Sequence, residues 1–389
     1  MRTGMYYRGL AKNTPTSPLQ RPLLSLPAPP KRVLVVCTQR IGDVLLATPL
    51  ARSVKAAWPD AQLDFLVLPG TQGVLEGNPD VHQVLAFPQR ASLREKLAQL
   101  ARIWRHYDLA FAAIPSDRAR IFAWAAASNA VGFTTADEAS WLKRHLLKIA
   151  VPFDNMDTHT VSMGLRLAEA LGLPAIGQVQ TPRVPAERWG ERREELGLTR
   201  ITNYVVIHPN PKFRYKMWSS EKWVSLISWL RQQNIDVLLT GSGDPGEAAY
   251  VQNIATKVAE GCHCLTGQLS LAETAELLKG ARLFVGPDTA VTHLAAATGI
   301  PTIALFGPSN PVKWGPWPKD WPAGQSPWTF VGSGRQGNVQ LIQGPGECVP
   351  CLFEGCDRHL DSDSQCLLAI TVEQVVKAAR SLILEPAAR

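Results

Sequence analysis

Residues 31–50, KRVLVVCTQRIGDVLLATPL, contain the segment that decides the fold. The run over 31–37 is apolar and bounded by polar residues, which is typical of a strand buried on both faces of a parallel sheet. A polar turn follows it, and 41–57 has the pattern of a helix in which Pro49 should introduce a kink. The segment therefore predicts a strand, a turn and a helix in that order.

The same alternation continues through the first half of the chain. Further strands are predicted over 62–68 and 109–114. The helix predicted between them places four apolar residues on one face: Leu93, Leu97, Leu100 and Trp104. Strands and helices that alternate in this way favour an α/β fold with a doubly wound parallel sheet.

The pattern restarts after a proline-rich break near 174–200. Ser270 and Glu273 form a capping-box pattern at the beginning of one helix in this second half. Its strands are predicted over 204–208, 236–240, 282–285 and 301–306. The chain thus contains two similar α/β halves, and we predict domains over 31–185 and 186–389.

The stretch over 308–347 differs from both halves, because it is rich in Pro, Gly and Trp and has little periodicity. We expect a long surface loop there, and loops of that length are often functional. Its tryptophans are expected to pack within the loop rather than stack on sugar rings: Trp314, Trp317, Trp321 and Trp328.

Length and composition are those of a globular protein with two domains. The chain has 389 residues, of which 46% are hydrophobic and 19% are charged. No run of the sequence approaches the about 20 consecutive apolar residues of a membrane helix. The formal net charge of +7 favours anionic partners such as phosphates, nucleic acid or an anionic membrane surface.

The segment over 1–30 is basic and proline-rich, and no acidic residue precedes Asp43. It has no apolar centre of the signal-peptide type, so secretion is not expected. An organelle transit peptide is one alternative, but the composition favours a disordered basic tail. Such a tail could contact anionic lipid.

Gly42 and Asp43 lie in the turn after the first predicted strand. Ligands of open parallel sheets bind at the carboxyl ends of the strands, so this turn should face a ligand. Gly42 lets the backbone approach closely, and Asp43 could accept a proton from a hydroxyl nucleophile. Simple capping of the next helix is the alternative role for Asp43.

A basic loop follows the strand predicted over 204–208. The loop, 209–218, reads PNPKFRYKMW and contains Lys212, Arg214 and Lys216. A cationic cluster before a helix suits a diphosphate group, because it combines charge attraction with free backbone N–H groups. A solvated basic loop is the alternative interpretation.

Gly241–Gly246 match the pattern G-x-G-x-x-G between a predicted strand and helix. The pattern is typical of dinucleotide binding, but here it occurs in the second half of the chain and Pro245 lies in the incipient helix. A tight glycine-rich turn is therefore the preferred interpretation. Glu247, the next residue, could hydrogen-bond a ribose hydroxyl.

Asp288 and Thr289 begin a helix directly after a predicted strand. The free N–H groups at a helix N-terminus favour phosphate binding. His293 lies one turn into this helix, on the face that it shares with Thr289. Gly307 follows the next strand, so it adds a glycine-rich turn at the same edge of the sheet.

Four cysteines form a cluster with the spacing C-x2-C-x4-C-x9-C: Cys348, Cys351, Cys356 and Cys366. Four thiolates at short spacing could hold a structural zinc ion, and free thiols in a reducing compartment are the alternative. A catalytic metal is not expected. Walker A, G-x-S-x-G and H-E-x-x-H patterns do not occur, so P-loop phosphotransfer, serine-hydrolase and zincin chemistry are not among the leading interpretations.

Taken together, these elements resemble glycosyltransferase family nine, the ADP-heptose-dependent lipopolysaccharide heptosyltransferases. The R-x-G-D turn with Pro49 looks like the family's first signature, and His208-Pro209 followed by Lys216 and Trp218 looks like its second. The third signature spans a larger set of residues: Asp288-Thr289, His293 to Ala297, Gly299 and Phe306-Gly307-Pro308. The resemblance covers about residues 31–385 in order and spacing.

The resemblance implies a GT-B fold, in which two Rossmann-like domains face each other across a cleft. The C-terminal domain would bind a nucleotide diphosphate sugar and the N-terminal domain a glycolipid or saccharide acceptor. It implies inverting transfer without a required cofactor, the nucleotide sugar being a substrate. It also implies a cytoplasmic enzyme at the inner face of the inner membrane, with peripheral contact to anionic lipid and no nucleic-acid partner.

The resemblance also assigns roles to individual residues. Asp43 would be the general base, and Lys216 would stabilise the departing diphosphate. The residues expected to contact the donor are Gly42, Pro209, Arg214, Gly241, Glu247, Asp288, Thr289, Ala290, His293 and Gly307. Two positions depart from the family pattern, because Ala290 and Asn210 stand where the family usually has glycine. Both departures bear on the identity of the donor and not on the fold.

Other functions stay open at this point. The G-x-G-x-x-G pattern allows a nucleotide-cofactor oxidoreductase, and the same scaffold allows a sugar-nucleotide binding protein without activity. The Asp43→Asn variant separates these from a transferase that uses Asp43 as its base. A nucleic-acid binder is a weaker alternative, because the basic residues lie in loops without interleaved aromatic residues.

Overall fold

A computed structural model describes residues 23, 26–135, 145–258 and 260–384 of the chain. The predicted tail over 1–30 lies largely outside the described residues. The chain divides into two compact units. The first contains the described residues up to Pro182 together with Asp320–Ser326, and the second contains Arg183–Lys319 and the described residues from Pro327 onward.

The first unit is built on a six-stranded parallel sheet with the order β3-β2-β1-β4-β5-β6. Its strands are β1 (Arg32–Cys37), β2 (Gln62–Val67), β3 (Gln83–Ala86), β4 (Leu109–Ala112), β5 (Asn129–Thr134) and β6 (Ile149–Pro152). The side chains of 33–37 are fully buried, as the uninterrupted apolar run predicts for a central parallel strand.

Five helices of the first unit are described: α1 (Ile41–Leu46), α2 (Thr48–Ala57), α3 (Leu93–Ile103), α4 (Asp117–Ala126) and α5 (Thr160–Glu169). The predicted helix over 41–57 is broken at Ala47, and Pro49 lies in the first turn of α2. Proline is tolerated there because the first turn has no intrahelical acceptor for its missing N–H group. A 3-10 turn, Gln72–Leu75, links β2 to β3.

The second unit contains a seven-stranded sheet with the order β12-β13-β11-β10-β7-β8-β9. Its strands are β7 (Tyr204–Ile207), β8 (Asp236–Leu239), β9 (Cys262–Cys264), β10 (Leu283–Pro287), β11 (Thr302–Phe306), β12 (Gly334–Gln336) and β13 (Val339–Gln343). All neighbours are parallel except β12, which pairs antiparallel with β13. The predicted α/β class with two doubly wound sheets is confirmed.

The described helices of the second unit are α6 (Ala186–Glu195), α7 (Ser220–Gln232), α8 (Pro245–Thr256), α9 (Leu271–Lys279), α10 (Ala290–Thr298), α11 (Pro311–Trp314), α12 (Gln365–Leu368) and α13 (Val372–Leu384). The predicted capping box is present at α9, where Ser270 and Glu273 each accept the other's backbone N–H. Helix α10 ends at Gly299, whose φ of 93° is left-handed and therefore favours glycine.

The prediction of a structureless surface loop over 308–347 is wrong. This stretch contains α11 and the β12–β13 hairpin, and β13 extends the sheet beside β11. Trp317 and Trp328 are buried. Trp328 does not pack within its own segment alone, because its cluster also contains Ala296 and Phe306. The segment is ordered because β13 buries Val339 and Leu341 against the sheet.

Among the described residues, no helix is both long enough and apolar enough to cross a bilayer.

Candidate functional site

Strands β7 and β10 are adjacent and parallel, so their carboxyl ends lie side by side. His208 follows β7 and Asp288 follows β10. Both side chains are buried at the edge of the sheet where parallel α/β proteins bind ligands. The candidate site of the second unit is therefore built on these two strand ends.

Lys216 and Asp288 form the central contact of this site. A 3-10 turn, Arg214–Lys216, follows β7 and carries the lysine back toward β10. The Nζ atom of Lys216 donates a 2.5 Å hydrogen bond to Oδ2 of Asp288, and both side chains are largely buried. Because burial strengthens electrostatic interactions, this ion pair fixes the position of the Lys216 ammonium at the sheet edge, where Asp288 balances its charge.

The Asp288 carboxylate has two further neighbours. Ser309, which follows β11, donates a hydrogen bond of 2.7 Å from its hydroxyl to Oδ2. Nε2 of His293 lies 4.0 Å from Oδ1. Burial opposes ionisation of Asp288, but Lys216, His293 and the two hydrogen bonds together lower its pKa below the ordinary value. Asp288 is therefore an anion at neutral pH.

His293 is buried beside this ion pair, on α10. Among the described residues its Nδ1 atom has no hydrogen-bond partner. Burial lowers the pKa of His293 to about 4; the Asp288 charge opposes this change, and the Lys216 charge adds to it. At neutral pH the imidazole is thus uncharged, and its buried Nδ1 atom has a hydrogen-bonding position that no described residue fills.

The N-terminus of α10 lies directly after Asp288. The hydroxyl of Thr289 accepts the backbone N–H of Thr292 at 3.3 Å, which makes Thr289 the N-cap. Ala290 is the first residue of the helix. The remaining N–H groups of a first helical turn lack intrahelical acceptors and favour an anion.

The glycine-rich turn after β8 is shaped around Glu247. A β-carbon on Gly241 would overlap Cγ2 of Thr266 and would lie 3.0 Å from Oε1 of Glu247, so the close approach requires glycine. Ser242 hydrogen-bonds the other carboxylate oxygen of Glu247. The G-x-G-x-x-G pattern therefore forms a tight turn that orients a carboxylate.

The other predicted residues of the second unit are placed as follows. Pro209 follows β7, and Gly307 follows β11, where a β-carbon would lie 3.1 Å from Leu367 on α12. Arg214 is engaged elsewhere, because its guanidinium makes a two-pronged ion pair with Asp363 at 2.9 and 3.2 Å. Donor contact by Arg214 stays a prediction, and it would require this exposed ion pair to open.

In the first unit, Gly42 and Asp43 lie in the first turn of α1, after the carboxyl end of β1. The Oδ2 atom of Asp43 accepts the backbone N–H of Arg40 at 3.2 Å. The capping role considered as the alternative is thus present in the structure. Such a contact is compatible with proton transfer, since a carboxylate oxygen has more than one lone pair.

The four clustered cysteines line one cavity beside Gly346 and Gln365. Burial raises the pKa of Cys351 above the ordinary value and that of Cys366 to about 11. Within the described ranges, no group of three or more His, Cys, Asp or Glu side chains meets the geometry needed to hold a metal ion. The structural zinc site stays a prediction that would require these thiols to move, and metal analysis of the purified protein tests it.

Ser309 is the site residue that the sequence analysis missed. Ser309 lies in the segment interpreted as a loop, although it follows Gly307-Pro308 at the end of β11. The structure brings Lys216, Asp288, His293 and Ser309 into one cluster. A serine three residues after the end of a predicted strand was the signal that could have identified it.

Comparison with known proteins identifies the family of this chain. The model of glycosyltransferase family 9 (heptosyltransferase) matches residues 96–323. A curated relative, lipopolysaccharide heptosyltransferase 3 of Escherichia coli, is 30% identical over 293 residues, which is 71% of this chain and 83% of the relative. The resemblance inferred from the sequence motifs is confirmed.

Solved structures give the same fold. The glycosyltransferase family 9 protein of Veillonella parvula has a TM-score of 0.73 at 20% identity, over 92% of this chain and 98% of that one. The ADP-heptose lipopolysaccharide heptosyltransferase II of E. coli has a TM-score of 0.69 at 20% identity, over 91% and 98%. These similarities confirm the predicted GT-B class with two Rossmann-like units.

Proposed function

This chain belongs to glycosyltransferase family 9, and we propose that it transfers heptose from ADP-heptose to a saccharide of the lipopolysaccharide core. The enzyme is a glycosyltransferase; the donor, the acceptor and inversion of the anomeric centre are the proposed parts. The names of its relatives support the donor and the acceptor, since they are lipopolysaccharide and ADP-heptose heptosyltransferases. Action on that acceptor would take place at the inner face of the inner membrane.

The observation that carries the proposal is the buried cluster of Lys216, Asp288 and His293. A diphosphate leaving group gains negative charge as its bond to the sugar breaks. The Lys216 ammonium and the N-terminus of α10 supply positive potential at one edge of the sheet. Such a fixed arrangement stabilises developing charge without reorganisation at the moment of reaction.

The same unit offers contacts for the rest of the donor. Glu247 would accept a hydrogen bond from a ribose hydroxyl, since the Gly241 turn and the Ser242 hydroxyl hold its carboxylate in place. His293 is uncharged at neutral pH, so its ring can exchange hydrogen bonds with sugar hydroxyls without adding charge. Ala290 and Asn210 would contribute to the choice of sugar, because both replace glycines of the family pattern.

The first unit would bind the acceptor, and Asp43 would act as the general base. In this mechanism the acceptor hydroxyl oxygen attacks the anomeric carbon, and its proton passes to the Asp43 carboxylate. The bond between the anomeric carbon and the β-phosphate oxygen breaks, and ADP leaves with its charge stabilised by Lys216. Attack opposite the leaving group inverts the configuration.

The proposed chemistry requires no metal or organic cofactor. Lys216 and the N–H groups of α10 supply the positive charge that a divalent cation supplies in other transferases. We therefore expect transfer to continue in the presence of a chelator. Loss of activity with a chelator and its recovery with one added metal would contradict this part of the proposal.

Calorimetric binding to a ligand panel tests the donor: ADP, ADP-heptose, UDP, GDP, dTDP-sugars and NAD. We expect ADP and ADP-heptose to bind most tightly. Preference for another nucleotide diphosphate would keep the transferase and remove heptose from the proposal. Binding of NAD alone would overturn the proposal. Release of ADP on addition of lipopolysaccharide-core saccharide then tests the acceptor.

A further inference from the structure

The first unit carries an apolar surface that its core does not use. It consists of the outer face of α3 and the adjoining part of α4, and we call it the α3–α4 surface: Leu93, Leu97, Leu100, Trp104, Ile121 and Trp124. Seven large hydrophobic side chains are exposed in the described part of the chain, and four of them belong to this surface. Such clustering distinguishes it from the single exposed hydrophobic residues that proteins commonly have.

Helix α3 is unusual because its apolar stripe faces outward. Leu93, Leu97 and Trp104 are 75%, 59% and 53% exposed. Of the residues of α3, all of which the structure describes, Ile103 alone is buried. Helices in doubly wound units normally pack their apolar face on the sheet, so this stripe is left for another apolar environment.

The stripe of α3 continues onto α4. The rings of Trp104 and Trp124 meet edge to face with centroids 5.4 Å apart. The Arg105 guanidinium lies 5.3 Å from the Trp104 ring and 5.4 Å from the Trp124 ring, and it donates to the Trp124 carbonyl. Ile121 lies one turn before Trp124 on the same helix and is 41% exposed. The two helices therefore present one continuous surface.

Positive charge borders the α3 part of this surface. At 100° per residue, Arg94 and Lys96 project on opposite sides of the leucine stripe. The exposed basic residues in and next to α3 are Arg90, Arg94, Lys96, Arg102 and Arg105. The single acidic residue of α3, Glu95, accepts the backbone N–H and the hydroxyl of Ser92 in the capping box. The border of the apolar stripe is thus cationic.

We propose that the α3–α4 surface docks on an anionic lipid bilayer. Exposed leucines would enter the boundary of the acyl chains, and Trp104 would lie at the level of the headgroups. Arg94 and Lys96 can extend their charged ends to lipid phosphates while their methylene stems cover apolar surface. Charge complementarity favours a bilayer with anionic headgroups over a partner that offers acyl chains alone.

Docking of this kind goes beyond the proposed transfer reaction. It would hold the enzyme at the surface in which a glycolipid acceptor is embedded, but binding to lipid does not itself depend on the identity of donor or acceptor. It also places the membrane contact on a folded surface and not on the basic leader, which lies largely outside the described residues.

Vesicle flotation of the full chain tests the proposal. The probes are vesicles of phosphatidylglycerol and phosphatidylcholine, and vesicles of phosphatidylcholine alone as the neutral reference. We expect binding to the anionic vesicles and weaker binding at high salt, because screening shortens the range of the charge attraction. Equal binding to both kinds of vesicle, or binding to neither, would overturn the proposal.

Two double variants address the two parts of the surface. Leu93→Ser with Leu97→Ser should weaken vesicle binding about tenfold or more, because two leucines lose their insertion energy. Arg94→Gln with Lys96→Gln should weaken it about fivefold for each charge removed. Val331→Ser and Lys257→Gln are matched controls, since they change an exposed hydrophobic and an exposed basic residue of the second unit.

All these positions are exposed, so the variants should unfold at the temperature of the parent protein. Binding of the variants equal to that of the parent would overturn the proposal. So would a dimer of the parent protein that the leucine variant abolishes, because the surface would then join two copies of the chain. Transfer to a lipid-free saccharide should be equal in the parent protein and all variants. If vesicles bind but ADP-heptose is not used, the proposed function fails and the docking surface stands.

Discussion

Lys216 donates a 2.5 Å hydrogen bond to Asp288, although 72 residues separate them in the sequence. The pair joins the turn after β7 to the end of β10. Both charges are removed from most of the solvent, so each depends on the other for compensation. The residue proposed to stabilise the leaving group is therefore held in place before any donor binds.

Removal of one partner should cost more than removal of both. Lys216→Met leaves the Asp288 carboxylate buried without its cation, and we expect the free energy of unfolding to fall by about 3 kcal/mol. Adding Asp288→Asn to that variant should recover part of the loss, because no uncompensated charge remains. Urea unfolding of the donor-free proteins measures the free energy of unfolding of the single and the double variant. If the losses in the free energy of unfolding simply add, the two side chains are not coupled. Both variants should fail to transfer sugar.

The Asp43→Asn variant should lose transfer and retain donor binding. General-base catalysis contributes about 10²–10⁴-fold, so kcat should fall by a factor in that range. The asparagine carbonyl can still accept the Arg40 N–H, so the melting temperature should change little.

The matched control for this variant is Asp60→Asn, which changes an exposed aspartate of the same unit. Its turnover should equal that of the parent protein. ADP binding by calorimetry should be the same for both variants. Normal transfer by Asp43→Asn would show that another group removes the acceptor proton.

A fall in pH should lower the free energy of unfolding through the protonation of His293. The pKa of His293 in the folded protein is about 4, below the value of about 6.5 in an unfolded chain. Between these values the unfolded state binds more protons, so stability decreases as the pH falls. This contribution amounts to about 2 kcal/mol between pH 7.5 and pH 5.

Replacement by glutamine removes the titration, so His293→Gln should lose less stability than the parent protein over that interval. Urea unfolding at the two pH values gives the comparison. His359→Gln, which changes an exposed histidine, controls for the substitution itself. Identical pH dependence in the parent protein and His293→Gln would contradict the buried, uncharged state of this ring.

Much of the fold could be predicted because its signals are local. The apolar run of β1, the helix break just before Pro49 and the capping box of Ser270 and Glu273 are each set by neighbouring residues. Strand β13 was missed because its residues, VQLIQ, are few and follow a segment rich in turn formers. Its strand state depends on pairing with β11, which is information from a distant part of the chain.

The candidate site was predictable in part for the same reason. Motif positions placed Lys216, Asp288 and His293 after strand ends, and parallel topology then brought those ends together. The sequence could not show that Asp363 forms an ion pair with Arg214, because 149 residues separate the two. Nor could periodicity show what covers the leucine stripe of α3, since an amphipathic pattern fixes the face but not its environment.

Gly241 and Gly190 should respond oppositely to alanine, because their surroundings differ. A β-carbon at Gly241 would overlap Thr266 and press on Glu247, so Gly241→Ala should cost about 1–3 kcal/mol of stability. It should also weaken ADP binding, since the displaced Glu247 is the proposed ribose contact. Gly190 lies within α6 with no atom within 4 Å of the added carbon, so Gly190→Ala should stabilise by about 0.5–1 kcal/mol.

Urea unfolding and ADP calorimetry distinguish these effects. If Gly241→Ala is destabilised but binds ADP normally, the turn is a structural element and Glu247 does not contact the ribose. If Gly241→Ala lowers both stability and ADP affinity, addition of Glu247→Gln should lower ADP affinity little further, because both changes act on the same contact. Independent losses from the two substitutions would mean that the glycine turn itself, and not the carboxylate it orients, lies against the nucleotide.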